Sequence, residues 1–139
     1  MKYDIILIYI AQRNNYQEIL ICKRNRKPEI GKWSLPGGIG GLDYNPDPHQ
    51  AIKDEVKMDF DVEFVNYNLF HVKYDDKSAP SLRLYFTGKF NREPKNNSPE
   101  TMSDFKWVSV DEAIKLPLAF EDVDDPVLEI YKDKFLKNG

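Results

Sequence analysis

The chain has 139 residues, of which 41% are hydrophobic and 31% charged, and its formal net charge is −3 at pH 7. This length and composition fit one globular domain over residues 1–139 with a core of ordinary size. The acidic balance argues against duplex nucleic acid as the main partner, and a single cysteine, Cys22, excludes an internal disulfide. The apolar residues 1–10 are too few to span a membrane, and we therefore expect a cytoplasmic protein.

Two strands are predicted at the start of the chain. Residues 3–11 are rich in Ile, Leu and Tyr, which indicates a largely buried strand, and residues 16–24 predict a second one. The residues between them have turn composition, so we expect a hairpin. A basic cluster follows, and within it Arg24 suits bidentate phosphate binding. The alternative is a solvated loop that keeps the strand end soluble.

A helix is predicted after a loop over residues 38–48, which is rich in Gly, Pro, Asn and Asp. Asp47 is a candidate N-cap, and Pro48 suits the first helical position. Apolar side chains then recur every four residues and should face the core: Ile52, Val56 and Phe60. The helix is therefore expected to run to about residue 60.

Two acids on this helix are candidates for metal binding. Glu55 and Asp59 are four residues apart, so they share one helix face with Cβ atoms roughly 5–6 Å apart. Two carboxylates at that distance repel each other unless a cation lies between them, and Mg²⁺ is typically held by one or two carboxylates plus substrate phosphates. A turn at Pro36, Gly37 and Gly38 is expected to let the backbone approach this face. The alternative is that both acids are ordinary surface groups.

The remaining sequence predicts more strands. Residues 62–74 and 81–90 predict a long hairpin around residues 75–77, and alternation in its second arm is typical of a half-buried strand. A polar loop over residues 91–103 precedes a last strand over residues 105–108.

Two helices are predicted at the end. Ser109 and Glu112 form a capping box, and Asp125 and Pro126 should open a final helix through Leu136. Strands on both sides of one helix, with helices at the end, predict an α/β fold whose sheet is covered on both faces.

The region from Gly31 to Val62 resembles the signature of the Nudix hydrolases. Their usual lead-in, Trp-x-Leu-Pro-Gly-Gly, is present in full as Trp33, Leu35, Pro36, Gly37 and Gly38. In the family this lead-in precedes a box of the form Arg-Glu-U-x-Glu-Glu-x-Gly-U, in which U is an aliphatic residue.

In this chain the box matches the family pattern only in part. Glu55 and Asp59 match two of its acids. Other positions differ, since Met58 stands for the third acid, Asp54 for the Arg, and Asp61 for the Gly. Because a thioether is a soft ligand that does not suit a hard cation, one metal position is expected to be lost.

The resemblance implies a Nudix-type α/β/α sandwich with a mixed central sheet. It also implies metal-dependent hydrolysis of the pyrophosphate bond in a nucleoside diphosphate derivative, with Mg²⁺ or Mn²⁺ as the cofactor. By this resemblance, Glu55 is the central metal ligand, Asp59 the second, and the backbone carbonyl of Gly38 a third. An added catalytic acid is expected from Glu100 or Asp104, with Glu100 favoured by position.

Substrate contacts are expected from five residues: Arg24, Trp33, Pro36, Gly37 and Phe120. The segment Leu118-Ala119-Phe120 looks like a tail found in the ADP-ribose pyrophosphatase branch of the family, which favours ADP-ribose or a related dinucleotide. Three aromatic residues are candidates for stacking on a base, with core packing as the alternative: Tyr44, Phe70 and Phe120. Tyr44 also falls at the spacing of an earlier family Glu, which has no clear counterpart here.

Two other functions stay open at this point. The worn box is compatible with a non-catalytic Nudix-fold module that binds a nucleotide as a sensor or regulatory protein. RNA 5′-end processing is a weaker alternative, because the surface is not basic. The sequence leaves the oligomeric state open, and a homodimer is compatible with it.

Overall fold

The computed structural model describes residues 4–39, 46–75 and 80–136. In chain order its elements are β1 (Asp4–Arg13), β2 (Glu18–Arg24), β3 (Trp33–Ser34), β4 (Gly37–Ile39), α1 (Pro48–Phe60), β5 (Phe64–Asp75), β6 (Ser81–Phe90), β7 (Met102–Ser109), α2 (Val110–Lys115) and α3 (Glu121–Phe135). The chain forms two compact units, one from Met1–Ala11 and Pro36–Asn97, the other from Gln12–Leu35 and Ser98–Gly139. That residues 1–139 act as a single domain stays a prediction.

The first unit is built on a mixed sheet. β1 runs parallel to β6 and antiparallel to β4, while β5 pairs antiparallel with β6. Helix α1 contributes the predicted apolar stripe, and its three members are fully buried: Ile52, Val56 and Phe60. The α/β class with a mixed sheet is therefore confirmed.

The second unit contains an antiparallel sheet and two helices. β2 pairs with β3 and β7, and the end of β1 joins it through the Gln12–Ile19 pair. The predicted β1–β2 hairpin is confirmed, and its turn holds three consecutive residues with φ near +60°: Asn14, Asn15 and Tyr16. Asn tolerates this left-handed conformation better than most residues.

Helix α2 begins with the predicted capping box. The backbone N–H of Glu112 donates to Oγ of Ser109 over 3.1 Å, and the Ser109 hydroxyl donates back to the Glu112 carboxylate over 3.4 Å. Short-range sequence signals such as this one need only neighbouring residues, which is why they were predictable.

The predicted turn at Pro36, Gly37 and Gly38 is wrong. Gly37 and Gly38 are extended in β4, where they pair with Ile8 and Leu7 of β1. Neither glycine adopts a positive φ. Their lack of a side chain matters instead because other atoms lie close to both, namely the Leu7 carbonyl at Gly37 and the Glu55 carboxylate at Gly38.

The prediction of a half-buried β6 is also wrong, because both faces of this strand are covered. Arg83, Tyr85 and Thr87 are at most 6% exposed. The Nε–H of Arg83 donates to the hydroxyl oxygen of Tyr85 over 3.0 Å. Polar side chains that satisfy one another can be buried, so alternation alone does not reveal exposure.

The last helix begins four residues before the predicted start at Asp125. Phe120 forms its N-terminal boundary with a left-handed φ of 59°, and its carbonyl accepts from the N–H of Asp124 over 2.9 Å. Pro126 therefore lies inside the helix, where it cannot donate to the carbonyl four residues earlier and its ring crowds that carbonyl.

None of the helices within the described ranges is long and apolar enough to cross a membrane. A cytoplasmic location stays a prediction, and the turn predicted at residues 75–77 falls partly outside the described residues.

Candidate functional site

Helix α1 begins and ends where local signals place it. Oδ1 of Asp47 accepts from the N–H of His49 over 3.0 Å, and Pro48 is the first helical residue, so both predictions are confirmed. Asp61 ends the helix in a left-handed conformation with φ of 55°, and its N–H donates to Lys57 O over 2.9 Å. This conformation is the physical reason for a Gly at the corresponding box position, since Gly adopts it without strain.

Glu55 lies against the second glycine of β4. A Cβ atom added to Gly38 would overlap the Glu55 carboxylate, with the carboxyl carbon only 3.0 Å away. Glu55 is 9% exposed. The missing side chain at Gly38 therefore makes room for a carboxylate beside the backbone of β4.

Asp59 lies one turn further along the same face and is held from the core side. The hydroxyl of Tyr9 donates to Oδ2 of Asp59 over 2.7 Å, and this hydrogen bond is buried. Met58 lies between Glu55 and Asp59 in the sequence, at the position of the third box acid, and it is 58% exposed. The third box acid is thus replaced by a thioether that faces solvent.

The C-terminal end of α1 is held by the segment of residues 91–97. Four carbonyls there accept hydrogen bonds from it: Met58 from Asn97 Nδ2 (3.2 Å), Asp59 from Asn97 N (2.9 Å), Phe60 from Lys95 N (3.2 Å) and Asp61 from Arg92 Nη2. The last four carbonyls of a helix need such outside partners. These contacts hold the C-terminal end of α1 in place.

The Asp61 side chain adds charge pairing at the same place. Its Oδ2 lies 3.1 Å from Lys95 Nζ and 3.7 Å from Arg92 Nη2. The hydrogen bond from Lys95 lowers the pKa of Asp61 below its usual value, with the charge of Arg92 contributing. Cations near a helix C-terminus also interact favourably with the helix dipole.

The carboxylates of Glu55 and Asp59 are the side chains of this face whose chemistry suits a divalent cation. Both offer hard oxygen ligands on one helix face, the kind that Mg²⁺ and Mn²⁺ prefer. Within the described ranges, no group of three or more His, Cys, Asp and Glu side chains is arranged to hold a metal. Metal binding by Glu55, Asp59 and the Gly38 carbonyl stays a prediction.

In the second unit, two residues predicted to contact substrate touch each other. The guanidinium carbon of Arg24 lies 4.9 Å from the ring centroid of Phe120, and Arg24 Nε–H donates to Pro28 O over 2.7 Å. Burial, followed by the nearby Arg26 charge, lowers the pKa of Arg24 from its usual value. An Arg remains charged at neutral pH even so, which keeps it suited to phosphate.

The sequence did not single out Glu29, which anchors this pair. Oε2 of Glu29 accepts from the backbone N–H of Phe120 over 3.0 Å. That hydrogen bond is the main cause of a lowered pKa for Glu29, and Lys32 adds to it. No sequence signal links residues 91 positions apart, so only the fold could show this contact.

Trp33 and Pro36, two further residues predicted to contact substrate, make ring and backbone contacts within the protein. Lys106 Nζ lies 4.4 Å from the centroid of the Trp33 ring, and the Trp33 carbonyl accepts from Ala119 N over 2.8 Å. In the first unit, the carbonyl of Pro36 accepts from Tyr9 N over 3.1 Å. Contacts of Trp33, Pro36 and Gly37 with a substrate stay predictions.

The candidates for an added acid lie in the second unit. Glu100 is exposed in a turn, and Asp104 is exposed in β7 opposite Lys23. Oδ1 of Asp104 accepts from the N–H of Phe105 over 2.8 Å. The catalytic role of either acid stays a prediction, and Tyr44 lies outside the described residues.

The sequence matches the family profile described as NUDIX domain over residues 4–130. It is 23% identical over 125 residues to the ADPR responsive transcriptional repressor NtrR of Acinetobacter baylyi, covering 87% of this chain and 49% of that protein. The chain thus spans about half the length of this curated relative.

Solved structures share the fold at low sequence identity. The NUDIX domain of Shewanella oneidensis NrtR, complexed with ADP ribose, superposes with a TM-score of 0.79 at 17% identity, over 96% of this chain and 89% of that one. The MutT NUDIX hydrolase from Burkholderia pseudomallei gives 0.76 at 20% identity, over 92% and 96%. Shewanella oneidensis NrtR complexed with a 27mer DNA gives 0.69 at 17% identity, over 95% and 61%.

Proposed function

The chain belongs to the NUDIX domain family, and from this premise we propose that it binds a nucleoside diphosphate derivative, with ADP-ribose the first candidate. Binding, as in a sensor or regulatory protein, is favoured over rapid turnover. The observation that carries this preference is the acid face of α1, where Met58 is an exposed thioether and Asp59 is hydrogen-bonded to Tyr9. The ADP-ribose named for two relatives supports the choice of ligand.

Slow metal-dependent hydrolysis is the second candidate function. Glu55 and Asp59 still share one helix face, and Gly38 gives the Glu55 carboxylate room beside β4. A divalent cation bound with the substrate would supply neutralisation of phosphoryl charge and a lowered pKa for attacking water. In this function the carboxylates of Glu55 and Asp59 would hold the cation at the pyrophosphate.

The decisive experiment combines binding and turnover on one set of ligands. ADP-ribose, ADP and ribose 5-phosphate are each titrated with and without Mn²⁺, using calorimetry and the melting temperature, while AMP release is followed in parallel. Stabilisation by ADP-ribose with little AMP release is expected. Rapid AMP release would make hydrolysis the main function, and no binding of any of these ligands would contradict both candidates.

Glu55→Gln is the first variant to test, because it removes a charge at nearly constant size. We expect Mn²⁺-dependent ligand binding, and any AMP release, to fall by about tenfold or more, since charge stabilisation by a metal ion is worth several kcal/mol and about 1.4 kcal/mol is tenfold. The melting temperature should stay equal or rise slightly, because repulsion from Asp59 is relieved.

Asp54→Asn is the matched control for this variant. Asp54 is exposed on another face of α1, where its Oδ1 accepts from Gln50 Nε2 over 2.9 Å. The Asp54→Asn substitution should leave ligand binding unchanged. Equal effects of the two substitutions would mean that Glu55 acts only through the general charge of the helix.

A further inference from the structure

The hydrogen bond between Tyr9 and Asp59 joins the core of the first unit to its acid face. Tyr9 is fully buried in β1, whereas Asp59 is 8% exposed. Their oxygen atoms are 2.7 Å apart. A hydrogen bond to a charged carboxylate is stronger than a neutral one, and a buried setting strengthens it further. The fold therefore holds this carboxylate before any ligand arrives.

Tyr9 has little freedom to follow a moving carboxylate. Its ring packs against three aromatic rings, with centroid distances of 6.4 Å to Phe60, 5.8 Å to Phe64 and 6.5 Å to Phe90. Its backbone is paired within the sheet of the first unit. The position of the hydroxyl is thus set by the core.

Asp59 is equally constrained at its backbone. Its carbonyl accepts from the N–H of Asn97 over 2.9 Å. An Asp side chain is one methylene shorter than Glu and has few rotamers with which to reach a new partner. Movement of Asp59 outward to a ligand would stretch its hydrogen bond to the fixed hydroxyl of Tyr9.

We propose that Tyr9 is a positioning residue that competes with a divalent cation for the carboxylate of Asp59, and thereby weakens metal binding by α1. The Tyr9 O–H and the cation seek the same oxygen, Oδ2, and displacement of the hydroxyl from it would cost the buried donor this acceptor. This inference rests on the proposed function in one respect, namely that α1 presents Asp59 to a ligand that carries a metal.

The test is Tyr9→Phe, which removes only the hydroxyl, titrated with Mn²⁺ alone. Without metal, its melting temperature should be lower than that of the unaltered protein, because Asp59 loses a donor. Its affinity for Mn²⁺ should rise by about tenfold, the effect expected from one hydrogen bond to a charged group. Added Mn²⁺ should consequently raise its melting temperature more than that of the unaltered protein.

Two controls separate competition from a general loosening of the core. Tyr85→Phe removes the hydroxyl of another fully buried tyrosine of the same unit, one that accepts from Arg83 Nε. It should leave Mn²⁺ affinity unchanged. In an Asp59→Asn background, Tyr9→Phe should likewise have no effect on Mn²⁺ affinity, because the carboxylate for which the two compete is absent.

The outcomes are distinct from those of the nucleotide experiment, since these titrations contain no nucleotide. Unchanged, lower or undetectable Mn²⁺ affinity in Tyr9→Phe would overturn the proposal. A gain that persists in the Asp59→Asn background would overturn it as well. A failure to bind ADP-ribose would contradict the proposed function without altering the Mn²⁺ result.

Discussion

At the scale of single residues, the two glycines of β4 meet different obstacles. A Cβ added at Gly37 would overlap the backbone carbonyl of Leu7 in the neighbouring strand, which cannot move without disturbing the sheet. One added at Gly38 would overlap the end of the Glu55 side chain, which can rotate away. Replacement by Ala therefore tests the stability of the fold at Gly37 and the position of the Glu55 carboxylate at Gly38.

We expect Gly38→Ala to displace Glu55 and to weaken ligand binding while changing the melting temperature little. Gly37→Ala should lower the free energy of unfolding by about 1–3 kcal/mol, the usual cost of overpacking. Denaturant unfolding and calorimetric titration with ADP-ribose measure the two effects. If Gly38→Ala retains full ligand affinity, Glu55 does not contact the ligand.

At the scale of elements, α1 combines an intact helix with an incomplete set of acids. Its C-terminal carbonyls are held by residues 91–97, and its buried stripe is complete. The position of the missing acid is Met58, whose surface is 58% exposed. An added acid at this position should therefore act on the metal rather than on the fold.

Met58→Glu is expected to raise the affinity for Mg²⁺ or Mn²⁺, and to raise any metal-dependent AMP release. A third carboxylate adds a hard ligand beside Asp59 on the same helix. Met58→Gln, which has the shape of Glu without its charge, is the matched control and should change neither quantity. Equal metal affinity in both variants would show that this face of α1 is not directed at a metal.

The pairing of α2 with α3 gives a prediction about pH. Asp111 Oδ1 lies 2.7 Å from Lys132 Nζ. This hydrogen bond lowers the pKa of Asp111 below 3.8 and raises the pKa of Lys132 above 10.5. The stabilisation by this ion pair is therefore fully present between pH 3.8 and pH 10.5. It is lost as pH falls through the lowered pKa of Asp111, and it is also lost as pH rises through the raised pKa of Lys132.

A double-mutant cycle of Asp111→Asn and Lys132→Gln measures this coupling. We expect a small positive coupling in the melting temperature at pH 7, since surface ion pairs contribute little. The coupling should decrease as pH falls below 3.8 and as pH rises above 10.5. A coupling that is independent of pH over this whole range would show that the two side chains interact through packing rather than charge.

At the scale of the whole molecule, net charge sets what the chain attracts. A charge of −3 provides no general attraction for nucleic acid phosphates. One relative of the fold was solved with a 27mer DNA, but this chain covers only 61% of that protein. That nucleic acid is not the main partner of these 139 residues stays a prediction.

We expect these 139 residues to show no binding to a random 27-base-pair duplex at physiological salt, while ADP-ribose still binds. Fluorescence anisotropy of labelled duplex, repeated at low salt, measures this directly. Tight duplex binding with a steep salt dependence would contradict the prediction, because it requires many phosphate contacts by Lys and Arg. Sedimentation of the same samples reports whether the chain forms a homodimer.

The sequence by itself determined the features that depend on neighbouring residues. The N-cap at Asp47, Pro48 at the first helical position and the capping box at Ser109 were all predictable, because each involves contacts within one helical turn. The worn box likewise placed Glu55 and Asp59 on one face, since helical geometry fixes the direction of side chains four residues apart.

Only the tertiary structure decided what those side chains meet. Tyr9 reaches Asp59 across 50 positions of sequence, and Gly38 turned out to be an extended residue that makes room for Glu55. Phe120, which precedes α3, likewise meets a distant partner, because its N–H donates to the carboxylate of Glu29. Hydrogen bonds and close packing between distant residues depend on how whole elements fold together, and short-range patterns carry no record of that arrangement.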